Sequence, residues 1–203
     1  EKNTKAVFLD LDGTLFTDEK TFSAGNCQAI EEALAAGHHI VISTGRPLAS
    51  AIMQAKELGF TKKGCFVISF NGGEIYDMYR KKSIFKKPLA MPLVRRIFDE
   101  ALQCGLHCQT YSDSEIVTEH DTEEVKRYSS IVKIPYKVVP DVTAFLKSEP
   151  VKVLVVNYEN KEHLRDYLEK TADFADGKIN RFFSSNEYLE HVAPGIDKGS
   201  AVR

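Results

Sequence analysis

Two carboxylates, Asp10 and Asp12, close an apolar run, Ala6-Val7-Phe8-Leu9, with a single leucine between them. Side chains two apart on an extended segment point the same way, so both acids address one space. That spacing suits a nucleophilic carboxylate beside a second acid able to pass a proton. Gly13 permits a turn that a side chain would obstruct, and Thr14 offers a hydroxyl and a backbone N–H where an anion could sit. An Asp-Gly turn with incidental acids is the plain alternative. An EF-hand loop is excluded, because the glycine and closing Glu of that loop do not fall at their required positions.

Further candidates lie at the ends of later apolar runs. His39-Ile40-Val41-Ile42 closes on Ser43-Thr44-Gly45-Arg46-Pro47, which brings together a hydroxyl, a bare backbone turn and a guanidinium. Helix capping is the simpler role for Ser43 and Thr44. Cys65-Phe66-Val67-Ile68-Ser69-Phe70 closes on Asn71-Gly72-Gly73, where Asn71 can both donate and accept, although Asn-Gly is also a common hairpin signal. Near the end, Gly195-Ile196-Asp197-Lys198-Gly199 holds one lysine among glycines before an apparent helix start. A phosphate-directed lysine has that look, but a lysine beside glycine is more often simply exposed.

The elements that must position these residues are read from periodicity. Residues 6–9 read as a strand buried on both faces of a parallel sheet, 23–36 as a helix with Ser23 as N-cap, and 39–42 as a second strand. A helix from Pro47 to about Leu58 and a strand over 65–70 follow, with 74–76 and 83–85 as hairpin arms. Right-handed strand–helix–strand crossovers set the strand ends side by side, and parallel sheets bind ligands beyond those ends. From about Pro88 the pattern changes: helix 92–103, strands 106–111 and 115–118, helix 142–147, strand 151–156, helix 161–171, strands 178–184 and 188–192. Acid-tipped strands do not recur there, which suggests a separate α/β module inserted into the first domain.

Composition narrows the partners. The 203 residues, 43% hydrophobic and 28% charged, suffice for one large or two modest domains with a folded core. Lys+Arg 27 against Asp+Glu 29 leaves a formal charge of -2, so no global basic field argues for nucleic acid or an anionic membrane surface. Arg80-Lys81-Lys82 and Lys86-Lys87 read as solvated hairpin surface. No run reaches the roughly 18 apolar residues of a membrane span. Glu1 to Lys5 is too polar and short for a signal sequence, so a cytoplasmic protein without a membrane partner is expected. Cys27, Cys65, Cys104 and Cys108 match no zinc or redox spacing and read as reduced thiols, and the scattered histidines form no metal cluster.

Taken in order, Asp10-Leu11-Asp12-Gly13-Thr14, Thr44-Gly45-Arg46, Asn71-Gly72 and Gly195-Ile196-Asp197-Lys198-Gly199 resemble the motifs of the haloacid dehalogenase-like phosphatases. More closely, the chain is similar to their Cof-type branch, which carries a large α/β cap of type IIB. The resemblance implies an α/β fold: a Rossmann-like parallel three-layer core of residues 1–83 and 189–203, with an α/β cap over 84–188 that closes by pivoting near Lys86 and Glu190. It implies a Mg²⁺-dependent phosphatase acting on small phosphorylated metabolites, sugar phosphates or nucleotides, through an aspartyl phosphate on Asp10. Asp12 would protonate the leaving oxygen and then take a proton from the attacking water. Thr44 would hydrogen-bond a phosphoryl oxygen, and Lys198 would neutralise the phosphoryl charge. Gly45, Arg46, Asn71 and Gly72 would bound the substrate, with Arg46 and Asn71 on the leaving-group side. Mg²⁺ would bridge Asp10, the backbone carbonyl of Asp12 and the phosphate.

The family's fourth motif, a Gly-Asp pair and a further Asp that complete the metal site, has no match here. The chain starts at Glu1 rather than Met and stops at Arg203, so a trimmed polypeptide is expected. Weak metal binding and a first-strand edge open to self-association are expected with it. Alternatives are a non-catalytic phosphate-ligand binding protein on the same scaffold, a sugar phosphate mutase, and a receiver-type domain phosphorylated on Asp10, for which the chain is too long.

Overall fold

The computed structural model describes residues 4–11, 24–175, 177–197 and 199; Asp12, Gly13, Thr14, Ser23 and Lys198 lie outside them. The chain divides into two compact units, Glu1–Lys86 with Asp197–Arg203, and Lys87–Ile196.

In the first unit, β1 (Ala6–Asp10), α1 (Ala24–Ala35), β2 (His39–Ser43), α2 (Leu48–Glu57) and β3 (Cys65–Ser69) alternate, and β4 (Glu74–Asp77) and β5 (Lys82–Lys86) follow as a hairpin. The sheet order is β1-β2-β3-β4-β5. β1, β2 and β3 are parallel, with Asp10 in register with Ser43 and Ser43 with Ile68; β4 turns antiparallel against β3. Right-handed crossovers between strands laid down in sequence order place both helices on one face. Ile40, Ile42, Cys65 and Val67 bury there against Ala51 and Ala55, with Ile30, Ala33 and Leu34 of α1 partly buried beside them.

Two details differ from the sequence reading. β1 was expected to be buried on both faces, but Val7 and Phe8 are each 40% exposed; its place at the edge of the sheet is the one the sequence reading expects. Among the described residues no strand pairs with its outer side. β3 stops one residue short, at Ser69, because Phe70 turns to φ 51° and leaves the extended region.

The second unit is a six-stranded sheet of order β10-β11-β9-β6-β7-β8. Its elements are α3 (Met91–Gln103), β6 (His107–Tyr111), β7 (Ile116–Thr118), α4 (Glu123–Val132), β8 (Tyr136–Val138), α5 (Val142–Phe145), β9 (Lys152–Val156), α6 (Lys161–Lys170), α7 (Ala172–Ala175), β10 (Asn180–Ser185) and β11 (Tyr188–Val192). The sequence reading lacked α4, β8 and α7. For α4 the signals exist: Thr122 caps it by accepting from the Val125 N–H, Glu123 and Glu124 lie in its first turn, and Val125, Tyr128 and Val132 bury one stripe. β11 lies between β10 and β9, and Glu190, near which the sequence places a pivot, is buried in the middle of it.

Strand alternation gives this sheet two unlike faces. Val153 and Val155 of β9 pack with Ile97 and Phe98 of α3 and with Leu164 and Tyr167 of α6. Lys152 points the other way, its Nζ 3.0 Å from Glu190 Oε2, with both side chains nearly sealed from solvent. Ser184 Oγ donates to Glu190 Oε1 at 2.6 Å. Burial alone would pull the Lys152 pKa down, but Glu190 and Tyr128 outweigh it and the net direction is upward. The same face carries a directed hydrogen-bond chain. Gln109 Oε1 can only accept, so His107 donates to it through Nε2–H (3.0 Å), and the imidazole, which burial keeps neutral, leaves Nδ1 to accept from the Thr122 hydroxyl (2.9 Å). Gln109 then donates to the Tyr111 hydroxyl (3.3 Å), which donates to that of Tyr128 (3.0 Å).

Lys152→Met should destabilise the protein by ~3–5 kcal/mol, because it strands Glu190 as a buried unpaired charge, and Lys152→Met with Glu190→Leu should recover much of that loss in urea unfolding. His191 is fully buried, and burial pushes its pKa down to about 3. The unfolded chain therefore binds a proton that the native state refuses, so stability is full above about pH 6.5 and falls as pH drops towards the folded value, by ~1.4 kcal/mol per pH unit. His191→Gln should flatten that slope in melts taken between pH 7 and 4.

Candidate active site

The site is built at the carboxyl ends of β1, β2 and β3. Asp10 is the last residue of β1, half-buried, and its register with Ser43 sets it beside the turn that follows β2. Thr44 is buried in that turn; its N–H donates to Ile68 O (2.9 Å) and its Oγ1 accepts from the Arg46 N–H (3.1 Å). The second bond uses the hydroxyl oxygen and leaves the hydroxyl hydrogen to donate outward. α2 starts directly after, with Pro47 as its N-cap, no side-chain cap and no acid in its first turn. Its first N–H groups therefore keep their positive partial charge.

The turn after β3 is stitched to the turn after β2. Phe70 N–H donates to Arg46 O (3.1 Å), and Asn71 N–H donates to Thr44 O (3.2 Å). Both Phe70 (φ 51°) and Asn71 (φ 57°) take the left-handed conformation. Asn tolerates that region; Phe does not, at a cost of about 1–3 kcal/mol. Asn71 is buried, and its Nδ2 has no hydrogen-bond partner among the described residues. Gly72 is buried next to it.

Of the residues singled out in the sequence, Thr44 and Asn71 are joined by a backbone hydrogen bond and Arg46 is joined to Phe70 by another, Gly45 and Gly72 lie within the same two turns, and Asp10 is in register with Ser43 beside them. Asp12 and Lys198 lie outside the described residues. Glu74 was read only as a hairpin residue. It is a buried acid in register with Ser69 at the same end of the sheet, and Ser83 Oγ donates to its carboxylate at 2.5 Å. No motif marks it in the sequence; only the antiparallel turn of β4 brings it there. Gln54 of α2 likewise escaped notice, and its Oε1 is buried with no partner among the described residues.

Mg²⁺ takes hard oxygen ligands, and Asp10 is a donor of that kind. Among the described residues, however, no group of three or more His, Cys, Asp or Glu could hold a metal ion. The described residues by themselves do not make up a metal site. No described helix is long and apolar enough to cross a membrane.

The chain resembles known proteins along most of its length. Residues 7–203 match a family described as haloacid dehalogenase-like hydrolase. A 5-amino-6-(5-phospho-D-ribitylamino)uracil phosphatase of Bacillus subtilis (strain 168) is 37% identical over 205 residues, covering 97% of this chain and 72% of that protein. A pyridoxal phosphate phosphatase of Escherichia coli (strain K12) is 30% identical over 129 residues, 63% of this chain and 46% of that protein. The crystal structure of a haloacid dehalogenase-like hydrolase from Bacteroides thetaiotaomicron superposes with a TM-score of 0.88 at 30% identity, covering 98% of this chain and 74% of that one.

Thr44→Val removes the acceptor for the Arg46 N–H inside a buried turn and should cost ~1–3 kcal/mol in urea unfolding, whereas Thr44→Ser, which keeps the oxygen, should lie close to the wild type.

Proposed function

The chain belongs to the haloacid dehalogenase-like hydrolase family, and on that premise we propose that it hydrolyses phosphate monoesters of small metabolites through covalent catalysis by Asp10. The observation that carries this reading is the placement of the Asp10 carboxylate at a strand end, in register with Ser43 and next to the donor-rich turn of Thr44, Gly45 and Arg46. An anionic nucleophile does not attack an anionic phosphate ester in water at a useful rate. Oriented donors are therefore the necessary complement, since phosphoryl transfer is mostly positioning and electrostatic stabilisation.

In the first step an Asp10 carboxylate oxygen forms a bond to phosphorus as the ester P–O bond breaks, and Asp12 gives its proton to the departing alkoxide. In the second, water attacks the phosphorus of the aspartyl phosphate. Asp12, now a carboxylate, takes the water proton; orthophosphate leaves and Asp10 is restored. Thr44 donates its free hydroxyl hydrogen to a phosphoryl oxygen, Lys198 offsets the negative charge, and Gly45, Arg46, Asn71 and Gly72 bound the substrate. The names of the two relatives above support a substrate of the small phosphorylated metabolite class, because each specifies a phosphate monoester of a small molecule. Mg²⁺ is the cofactor this reading calls for, with the Asp10 carboxylate among its oxygen ligands.

p-Nitrophenyl phosphate should be hydrolysed by the protein with Mg²⁺ and not with EDTA. Asp10→Asn should lose at least roughly 10³-fold in kcat while keeping the wild-type melting behaviour. Phosphate binding without turnover of any ester would instead assign the scaffold to a non-catalytic binding protein.

A further inference from the structure

Resting on the reading of this pocket as a phosphate site, we propose that Asn71 is a phosphoryl-oxygen donor paired with the Thr44 hydroxyl, and that position 45 is glycine in order to admit it. This moves Asn71 from the leaving-group side, where the sequence placed it, to the transferred group itself.

The first support is the orphaned donor. Asn71 is 6% exposed, and its Nδ2 meets neither solvent nor a partner among the described residues. A buried amide N–H left unsatisfied costs about 1–3 kcal/mol, and native proteins retain few of them without a use. The second is how firmly the backbone that carries the side chain is held. Two consecutive left-handed residues, Phe70 and Asn71, persist because the bonds to Arg46 O and Thr44 O over-determine the turn. The third is Gly45. A Cβ at that position would lie 2.7 Å from Asn71 Oδ1 and 3.3 Å from Nδ2, closer to the oxygen than real contacts allow. The Asn71 amide therefore occupies the space that any side chain at position 45 would take.

Two donors belong to these two joined turns: the Thr44 hydroxyl, whose oxygen accepts from the Arg46 N–H and whose hydrogen is left to donate, and the Asn71 amide against Gly45. The uncapped N-terminus of α2, with no acid in its first turn, follows within four residues of Thr44. A dry pair of neutral donors beside a positive helix end fits a compact oxygen-rich anion, and the phosphoryl group is that part of a phosphate monoester.

The two assignments of Asn71 separate on orthophosphate, which has phosphoryl oxygens and no leaving group. Calorimetric titration with orthophosphate would compare the wild type, Asn71→Gly, Asn71→Asp, Gly45→Ala and the Gly45→Ala/Asn71→Gly double variant. Asn71→Gly keeps the left-handed backbone and Asn71→Asp keeps the shape, so the Asn71 variants test the idea even if Gly45→Ala folds poorly. Loss of the donor in Asn71→Gly and its displacement in Gly45→Ala should each weaken binding ~10-fold. Asn71→Asp, which presents a carboxylate to the anion, should weaken it further. The double variant should bind no more weakly than either single one, since both changes remove the same contact. Wild-type affinity in Asn71→Gly and Asn71→Asp, effects that multiply to ~100-fold in the double variant, or no orthophosphate binding by the wild type would each overturn the proposal. p-Nitrophenyl phosphate turnover, followed in parallel, reports on the phosphatase reading alone: intact orthophosphate binding with this pattern but no turnover defeats that reading and leaves Asn71 as an anion donor.

Discussion

The parallel register of the first three strands is the constraint from which the site follows. Pairing Asp10 with Ser43, and Ser43 with Ile68, brings three chain segments to the same level of one sheet edge. Each strand then has to turn, and the turns meet. A slip of one residue in either pairing would swing every side chain of that strand to the opposite face and carry Asp10 or Thr44 out of the pocket. The apolar content of β2 and β3 guards against such a slip, since Ile40, Ile42, Cys65 and Val67 must all face α2 together. Burial in the core thus fixes the chemistry at the strand ends.

Where the turns meet, local preference is overridden. Extended backbone would have carried β3 through Phe70, and a phenylalanine has no intrinsic reason to adopt φ 51°. The hydrogen bonds from Phe70 to Arg46 and from Asn71 to Thr44 hold it there, and the result is a buried Asn71 amide packed against Gly45. Strain stored beside candidate catalytic groups, rather than in the body of the sheet, is the pattern expected when position matters more than comfort.

The second unit shows a different economy of polar groups. Lys152, Glu190, Ser184 and the chain from Thr122 to Tyr128 lie on one face of a sheet whose other face is mostly apolar core. A buried ion pair of this kind adds little net stability and is intolerant of losing one member. Glu190 lies opposite Leu154 and Lys152 opposite Val192, so the ion pair crosses the β9–β11 pairing on the diagonal. Such pairs are invisible to periodicity, which records that a lysine interrupts an apolar strand but not what answers it.

Much of this protein is legible in its sequence because the signals are local. An apolar run ending in Asp10 and Asp12, the Thr44-Gly45-Arg46 turn and the alternation of strand and helix declare an α/β fold of the haloacid dehalogenase-like family, and the match over residues 7–203 agrees. The cap signals of α4 are equally local, with Thr122 before Glu123 and Glu124, so that helix too is encoded in its own stretch of sequence. Other features were decided only by the tertiary structure. The pairing of Lys152 with Glu190, the register of Glu74 with Ser69 and the approach of Asn71 to Gly45 each join residues by contacts across the fold. A residue's own side chain and its near neighbours determine what it can do; which group it meets depends on register and turn geometry, which arise when the whole sheet is assembled.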